Sequence, residues 1–332
     1  MKIIPAPQAR ITRRQILSGA IAAGIGVSTN CVAPAAGSTP TIPTIDTHTH
    51  FYDPSRPQGV PWPARDDAFL YRRVLPADYR KLAEPMGVVG TVVVEASSWL
   101  EDNQWLLDLA KDDPFLVGII GQLSPGMPEF AGQLERFSEN PLFRGIRIGS
   151  GKLDQQLDNA GFLDDLRRLE SHGLALDING GPEMLRHIQR LATKLPDLTI
   201  VVNHLANVRI DGKAPPREWR ADLLGLKRCP RVWCKFSALV EGASRPETKS
   251  PTNVDYYRLV FETAFEAFGS SRLLYGSNWP VSERFGSYSD VHNLALKIAS
   301  EQGDGFTRRL MFDNAQEAYG LARGNSAANP EN

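Results

Sequence analysis

The chain has 332 residues, with 37 Lys and Arg against 38 Asp and Glu. The formal charge of −1 removes the electrostatic basis for non-specific nucleic-acid binding. Hydrophobic residues at 42 % and charged residues at 23 % exclude a disordered or collagen-like chain, and three cysteines are too few for a disulfide framework. No apolar run reaches the roughly 18–20 residues that span a bilayer, so no transmembrane anchor is expected, and the length suits one barrel-sized domain or two smaller ones.

The chain opens on Thr12-Arg13-Arg14, followed by Ile16-Leu17, an Ala/Gly-rich apolar stretch from Ser18 to Val27, and small residues up to Gly37. These three parts resemble a twin-arginine export signal over residues 1–36, with cleavage near Ala35 or Ala36. That reading implies the twin-arginine machinery as a partner and a periplasmic or secreted location. Cys31 is a poor lipoprotein acceptor, because Ser28-Thr29-Asn30 precede it.

Beyond Pro43 the pattern becomes regular. Short β-branched, apolar runs at Ile42–Thr49, Val88–Glu95, Phe115–Leu123, Phe143–Ile148, Leu174–Ile178, Leu198–His204, Val232–Ser237 and Arg272–Gly276 predict eight strands. Helical periodicity lies between most of them, at Asn103–Lys111, Pro128–Ser138, Leu163–Ser171, Pro182–Leu195 and Val254–Phe268. Strands alternating with helices imply parallel pairing, and eight of them fit an α/β fold, a single-domain (β/α)8 TIM barrel over residues 37–323. A doubly wound open sheet would carry a Gly-rich turn after its first strand, and here that strand ends in histidines. Tyr52–Tyr71, Arg209–Arg217 and Glu241–Thr252 read as long loops at the C-terminal mouth of such a barrel, and residues 324–332 as a disordered tail.

The chemistry-bearing residues fall at strand ends. In Asp46-Thr47-His48-Thr49-His50 the three functional side chains are spaced to share one face of strand one, and two imidazoles together are a natural half-site for a divalent metal. His204 closes strand six and enters the same space. Glu95 ends strand two. Arg147 and Lys235, ending strands four and seven, suit a substrate carboxylate, hydroxyl or developing oxyanion. Asp177 and Asn179 at the end of strand five suit substrate hydroxyls. Trp279 offers a flat face for a ring, whereas Trp62 reads as a loop-packing aromatic. Cys229 and Cys234 read as reduced fillers.

Ile45-Asp46-Thr47-His48-Thr49-His50-Phe51, Phe143-Arg144-Gly145-Ile146-Arg147, Val202-Asn203-His204-Leu205, Trp233-Cys234-Lys235-Phe236-Ser237 and Tyr275-Gly276-Ser277-Asn278-Trp279-Pro280 resemble successive strand motifs of the amidohydrolase superfamily. The branch they are similar to holds sugar-lactone and pyrone-dicarboxylate lactonases. Phe312-Asp313-Asn314-Ala315 and Tyr319-Gly320-Leu321 resemble its terminal helix. The resemblance implies a hydrolase that opens a lactone by water attack at a histidine-rich mouth. It implies one divalent metal, Zn or Mn, on His48, His50 and His204, while metal-independent catalysis by acid–base histidines stays open. It also implies a small lactone or carboxylate substrate; a homo-oligomer is open as well.

Asn278 departs from the family, whose strand-eight motif usually carries Asp. An amide orients water or weakly ligates a cation, but cannot accept a proton as a general base. Glu95 then supplies the carboxylate, or a metal lowers the pKa of water, or hydrolysis is altered or lost. The expected catalytic set is therefore His204, Asn278 and Glu95. A metal-dependent decarboxylase and a non-catalytic ligand-binding protein on the same scaffold are the alternatives.

Overall fold

The computed structural model describes residues 42–244 and 249–321. The export signal expected over residues 1–36, with Cys31 inside it, and the tail expected over 324–332 lie outside the described residues.

Eight strands form one parallel sheet in sequence order: β1 (Thr44–Thr49), β2 (Val88–Val94), β3 (Leu116–Gly121), β4 (Phe143–Gly149), β5 (Ala175–Asn179), β6 (Ile200–Val202), β7 (Val232–Phe236) and β8 (Leu273–Tyr275). β8 meets β1 through a Thr49–Trp279 bridge, with Asn278 N–H donating to His48 O at 2.8 Å and His50 N–H to Trp279 O at 2.9 Å. This is the barrel expected from the alternating pattern. The helices α1 (Pro76–Ala83), α2 (Asp102–Ala110), α3 (Phe130–Ser138), α4 (Ser150–Gln156), α5 (Ala160–Ser171), α6 (Met184–Lys194), α7 (Arg217–Gly225), α8 (Leu239–Gly242), α9 (Asp255–Phe268), α10 (Tyr288–Ser300), α11 (Asp304–Arg308) and α12 (Asn314–Tyr319) follow the strands in turn.

Two apolar clusters divide the interior. The larger lies between strands and helices. The smaller joins Ile45, Val92, Ile120, Val201, Trp233 and Leu274 to Ala315, Ala318 and Tyr319 of α12. Period-two alternation makes both, since one strand face looks inward and the other toward the helices.

β1 breaks that alternation. Between Asp46 and Thr49 it advances three residues while β2 advances two, from Thr91 to Val93. The extra residue rephases the side chains. Asp46 turns toward the helix layer, where Tyr79 of α1 donates to its Oδ2 at 2.6 Å and the backbone N–H of Ser277 to its Oδ1 at 2.8 Å. His48 turns inward, so the expectation that Asp46 shares a face with both histidines is corrected. Gly276 makes room for it: a Cβ there would stand 2.9 Å from the His48 Cβ.

β6 is shorter than its apolar run suggests. It ends at Val202, and His204, Leu205, Ala206 and Asn207 form a left-handed turn with φ between 47° and 57°. Each such residue costs roughly 1–2 kcal/mol, so the turn persists because neighbours over-determine it. Trp219 of α7 donates its indole N–H to Leu205 O at 2.9 Å, and Asn207 Nδ2 donates to Gly180 O at 2.8 Å. The turn aims His204 over the mouth.

Candidate active site

A cavity of about 600 Å³ opens at the C-terminal ends of the strands. Six residues singled out from the sequence line it: His50, Glu95, Arg147, Asn179, His204 and Asn278. Trp62, Asn207, Glu241 and Phe285 line it as well. Trp62 is thus a wall of the site, against its reading as a loop-packing residue; its ring meets His50 edge-on at 5.9 Å. Trp279 does the opposite. It is buried behind the mouth against Phe51 and Tyr79, and so offers no face to a substrate. Reversal of the chain after β8 carries Asn278 in and Trp279 out.

Asp177 and Lys235, both expected to touch substrate, lie sealed beneath the cavity. Lys235 Nζ and Asp177 Oδ2 are 2.7 Å apart and neither side chain is exposed. Tyr319 OH and Asn203 Nδ2 also donate to the Asp177 carboxylate, at 3.0 Å and 3.1 Å. Burial pushes the Asp177 pKa up and the Lys235 pKa down, and each partner opposes the shift of the other. This pair is a floor, not a binding surface. Asn179, two residues beyond Asp177, does reach the cavity, where its Oδ1 accepts from Asn207 Nδ2 at 3.1 Å.

The imidazoles form three tiers. His48 packs between Lys235 and the upper rings, 4.2 Å from the His204 centroid and 5.0 Å from that of His50. Burial, together with the charges of Lys235 and Arg147, lowers the pKa of all three, that of His50 to about 3. They are neutral at physiological pH. His50 Nδ1–H donates to Val94 O at 2.9 Å, and His204 Nδ1 shares a hydrogen bond with Ser237 Oγ at 2.8 Å. Nδ1 is thus engaged in both rings, and Nε2 is the nitrogen each has left for other partners.

The resemblance implies a divalent metal, and the donors do not suit one. Among the described residues no three His, Cys, Asp or Glu side chains converge as a ligand set. His48 is the physical reason. Its Nε2 is buried without a partner, and its Nδ1 stands 3.3 Å from Lys235 Nζ. With the Lys235 ammonium against this ring, a metal cation on His48 would sit beside a like charge. The expected set of His48, His50 and His204 is reduced to two, one short of the three protein ligands of a catalytic zinc.

Glu95 is also corrected. Its Oε1 accepts from Arg147 Nε at 2.8 Å, its Oε2 from the Ser97 N–H at 2.9 Å, and its backbone O from Arg147 Nη2 at 2.7 Å. A carboxylate held on both oxygens fixes the guanidinium over the mouth, while burial raises its pKa. The carboxylate that stands less committed was missed by sequence reasoning. Glu241, in the short helix α8, accepts from Asn278 Nδ2 at 2.9 Å on Oε1, while its Oε2 is buried without a partner. Burial raises its pKa to about 7. The one signal for it was its place at the start of the third long loop of the mouth. Asn278 also hydrogen-bonds His50, so it joins imidazole and carboxylate across the site.

An L-fucono-1,5-lactonase of Burkholderia ambifaria is 30 % identical over 253 residues, which span 74 % of this chain and 83 % of that protein. Crystal structures of an amidohydrolase from Burkholderia multivorans, each matched over 84 % of this chain and 100 % of the solved chain, superpose with TM-scores of 0.76 and 0.74 at 24 % and 25 % identity. The first holds HEPES and the second zinc. The family model described as Amidohydrolase matches residues 45–321, from β1 to the end of α12, and the chain belongs to that family.

Proposed function

We propose that the protein is a lactonase that opens the ring ester of a sugar-acid lactone by attack of water. The observation that carries this reading is the pair His50 and His204. Each is neutral, tied at Nδ1 to the protein, and lines one cavity that also holds Arg147 and Asn179. An ester carbonyl needs a donor for its developing oxyanion, and the Arg147 guanidinium, fixed by Glu95, supplies one. Lactone hydroxyls find amides in Asn179 and Asn207, and Trp62 gives the ring an apolar wall. The lactonase named among the relatives supports a hydroxylated five- or six-membered lactone as the substrate class.

The test is acid release from a panel of aldonolactones that includes L-fucono-1,5-lactone, with carbon dioxide followed in parallel. Acid release without carbon dioxide is the expected result. Carbon dioxide release, or neither, sinks the reading. Because the donors at the mouth do not make a metal set, chelator is expected to leave the rate unchanged.

We also propose twin-arginine export, on the strength of Arg13-Arg14 and the apolar stretch that follows. Replacing both arginines by lysine is expected to leave the protein in the cytoplasmic fraction; a variant that still leaves the cytoplasm rejects this route.

A further inference from the structure

Three carboxylates stand in or directly beneath the mouth, and their oxygens are used differently. Glu95 is engaged on both by Arg147 and Ser97. Asp177 is engaged on both by Tyr319, Lys235 and Asn203. Among the described residues Glu241 holds one side-chain partner, Asn278 Nδ2, and its Oε2 is buried with nothing to accept from. A buried carboxylate oxygen without a donor is costly, and this one belongs to a side chain that lines the cavity.

We propose that Glu241 is the catalytic residue that takes a proton from the attacking water and returns it to the leaving ring oxygen, with Asn278 as its positioning residue. This assignment rests on the lactonase reading and deepens it. Water donates a hydrogen bond to the Glu241 carboxylate, its oxygen adds to the lactone carbonyl carbon, and its proton passes to Glu241. The carbonyl π pair moves to the carbonyl oxygen, which Arg147 meets. On collapse that pair re-forms the double bond, the bond from the carbonyl carbon to the ring oxygen breaks, and the ring oxygen takes the proton from Glu241. The product is a hydroxy acid, which then loses its acid proton to solvent. Every proton and electron pair is accounted for, and Glu241 ends as it began.

The assignment also gives the unusual residue 278 a reason. The Asn278 amide donates to Glu241 at 2.9 Å. An aspartate in that place would set two carboxylates against each other, and like charges so close suppress the ionisation of one of them. Asn278 and Glu241 are thus a matched pair, with the acid on the loop after β7 and the amide after β8. The left-handed backbone of Ala238 and Asn278, φ 52° and 59°, turns the two segments toward each other.

The test measures kcat and KM for lactone opening in the full chain and in E241Q, N278D and E241Q/N278D, with the fold of each followed by circular dichroism. E241Q is expected to lose roughly 10²–10⁴-fold in kcat, the range for removal of a general acid–base group, with KM little changed. N278D is expected to be slower than the wild type, and the double variant faster than E241Q, because it restores one acid and one amide with their places exchanged. A purely structural role for Glu241 moves neither of those orders. If E241Q does not fold, E241A with added formate serves instead, and restoration of rate by formate is the expected outcome. An E241Q enzyme with wild-type kcat, an N278D enzyme faster than the wild type, or a double variant no faster than E241Q overturns the assignment while the lactonase reading stands. A wild type that opens no lactone overturns both.

Discussion

The floor of the barrel and its rim each hold a buried carboxylate beside an amide, and they use them in opposite ways. At the floor, Asp177 is surrounded by Lys235, Tyr319 and Asn203, and both of its oxygens are bonded. At the rim, Asn278 is the one side chain that donates to Glu241 among the described residues. The floor offers no space for a ligand and the rim has a cavity beside it. Charge and burial by themselves do not mark a reactive group. What separates the two is whether the protein has already satisfied the group, since a saturated carboxylate has nothing left to offer a substrate.

Removing one half of the floor pair sharpens this contrast most. K235M leaves the Asp177 charge buried and unmatched, and is expected to cost about 3–5 kcal/mol in urea unfolding. The double variant D177N/K235M, which removes both charges, is expected to recover most of that loss. A K235M chain as stable as the wild type would mean that the pair is not ionised.

At the rim the expectation has the opposite sign. In the unfolded chain Glu241 ionises at its ordinary value of 4.5, and in the fold only near 7. Between those values the unfolded chain releases its proton while the folded chain keeps it, so stability falls as pH rises through that window and the cost is constant above it. E241Q never ionises. Its urea stability is expected to match the wild type below pH 4.5 and to exceed it above pH 7, by at most roughly 3 kcal/mol. A difference that does not change with pH breaks the comparison.

Smaller effects test the walls of the site. R147M is expected to weaken lactone binding and slow opening together, by about tenfold or more in kcat/KM, or about 1.4 kcal/mol. It also frees Glu95, so a loss of activity smaller than this would make the ion pair structural. Least of all, A206G relieves one left-handed residue of the turn that carries His204, against the entropy glycine loses on folding. A net gain below about 1 kcal/mol is expected. A large loss would mean that the Ala206 methyl packs for more than its strain costs.

Much of the barrel and part of the site could be read without coordinates. Eight β-branched runs with helical periodicity between them demanded a parallel sheet, and strand ends placed His50, Glu95, Arg147, Asn179, His204 and Asn278 at one mouth. Alternation is a local property, so it carries that far. It fails where the chain departs from its period. One extra residue in β1 sent Asp46 outward, depth along the barrel sealed His48, Asp177 and Lys235 under the cavity, and the reversal after β8 exchanged Trp279 for Trp62 as the wall. Glu241 had no periodic pattern to reveal it. It lies in the short helix after β7, 37 residues before the amide it meets, and the pairing of β7 with β8 brings the two to 2.9 Å. From its sequence alone this protein has its barrel and the histidines of its mouth, because both follow from spacing along a strand. Which carboxylate is left unsatisfied there was decided by the tertiary structure, because satisfaction is counted among neighbours in space.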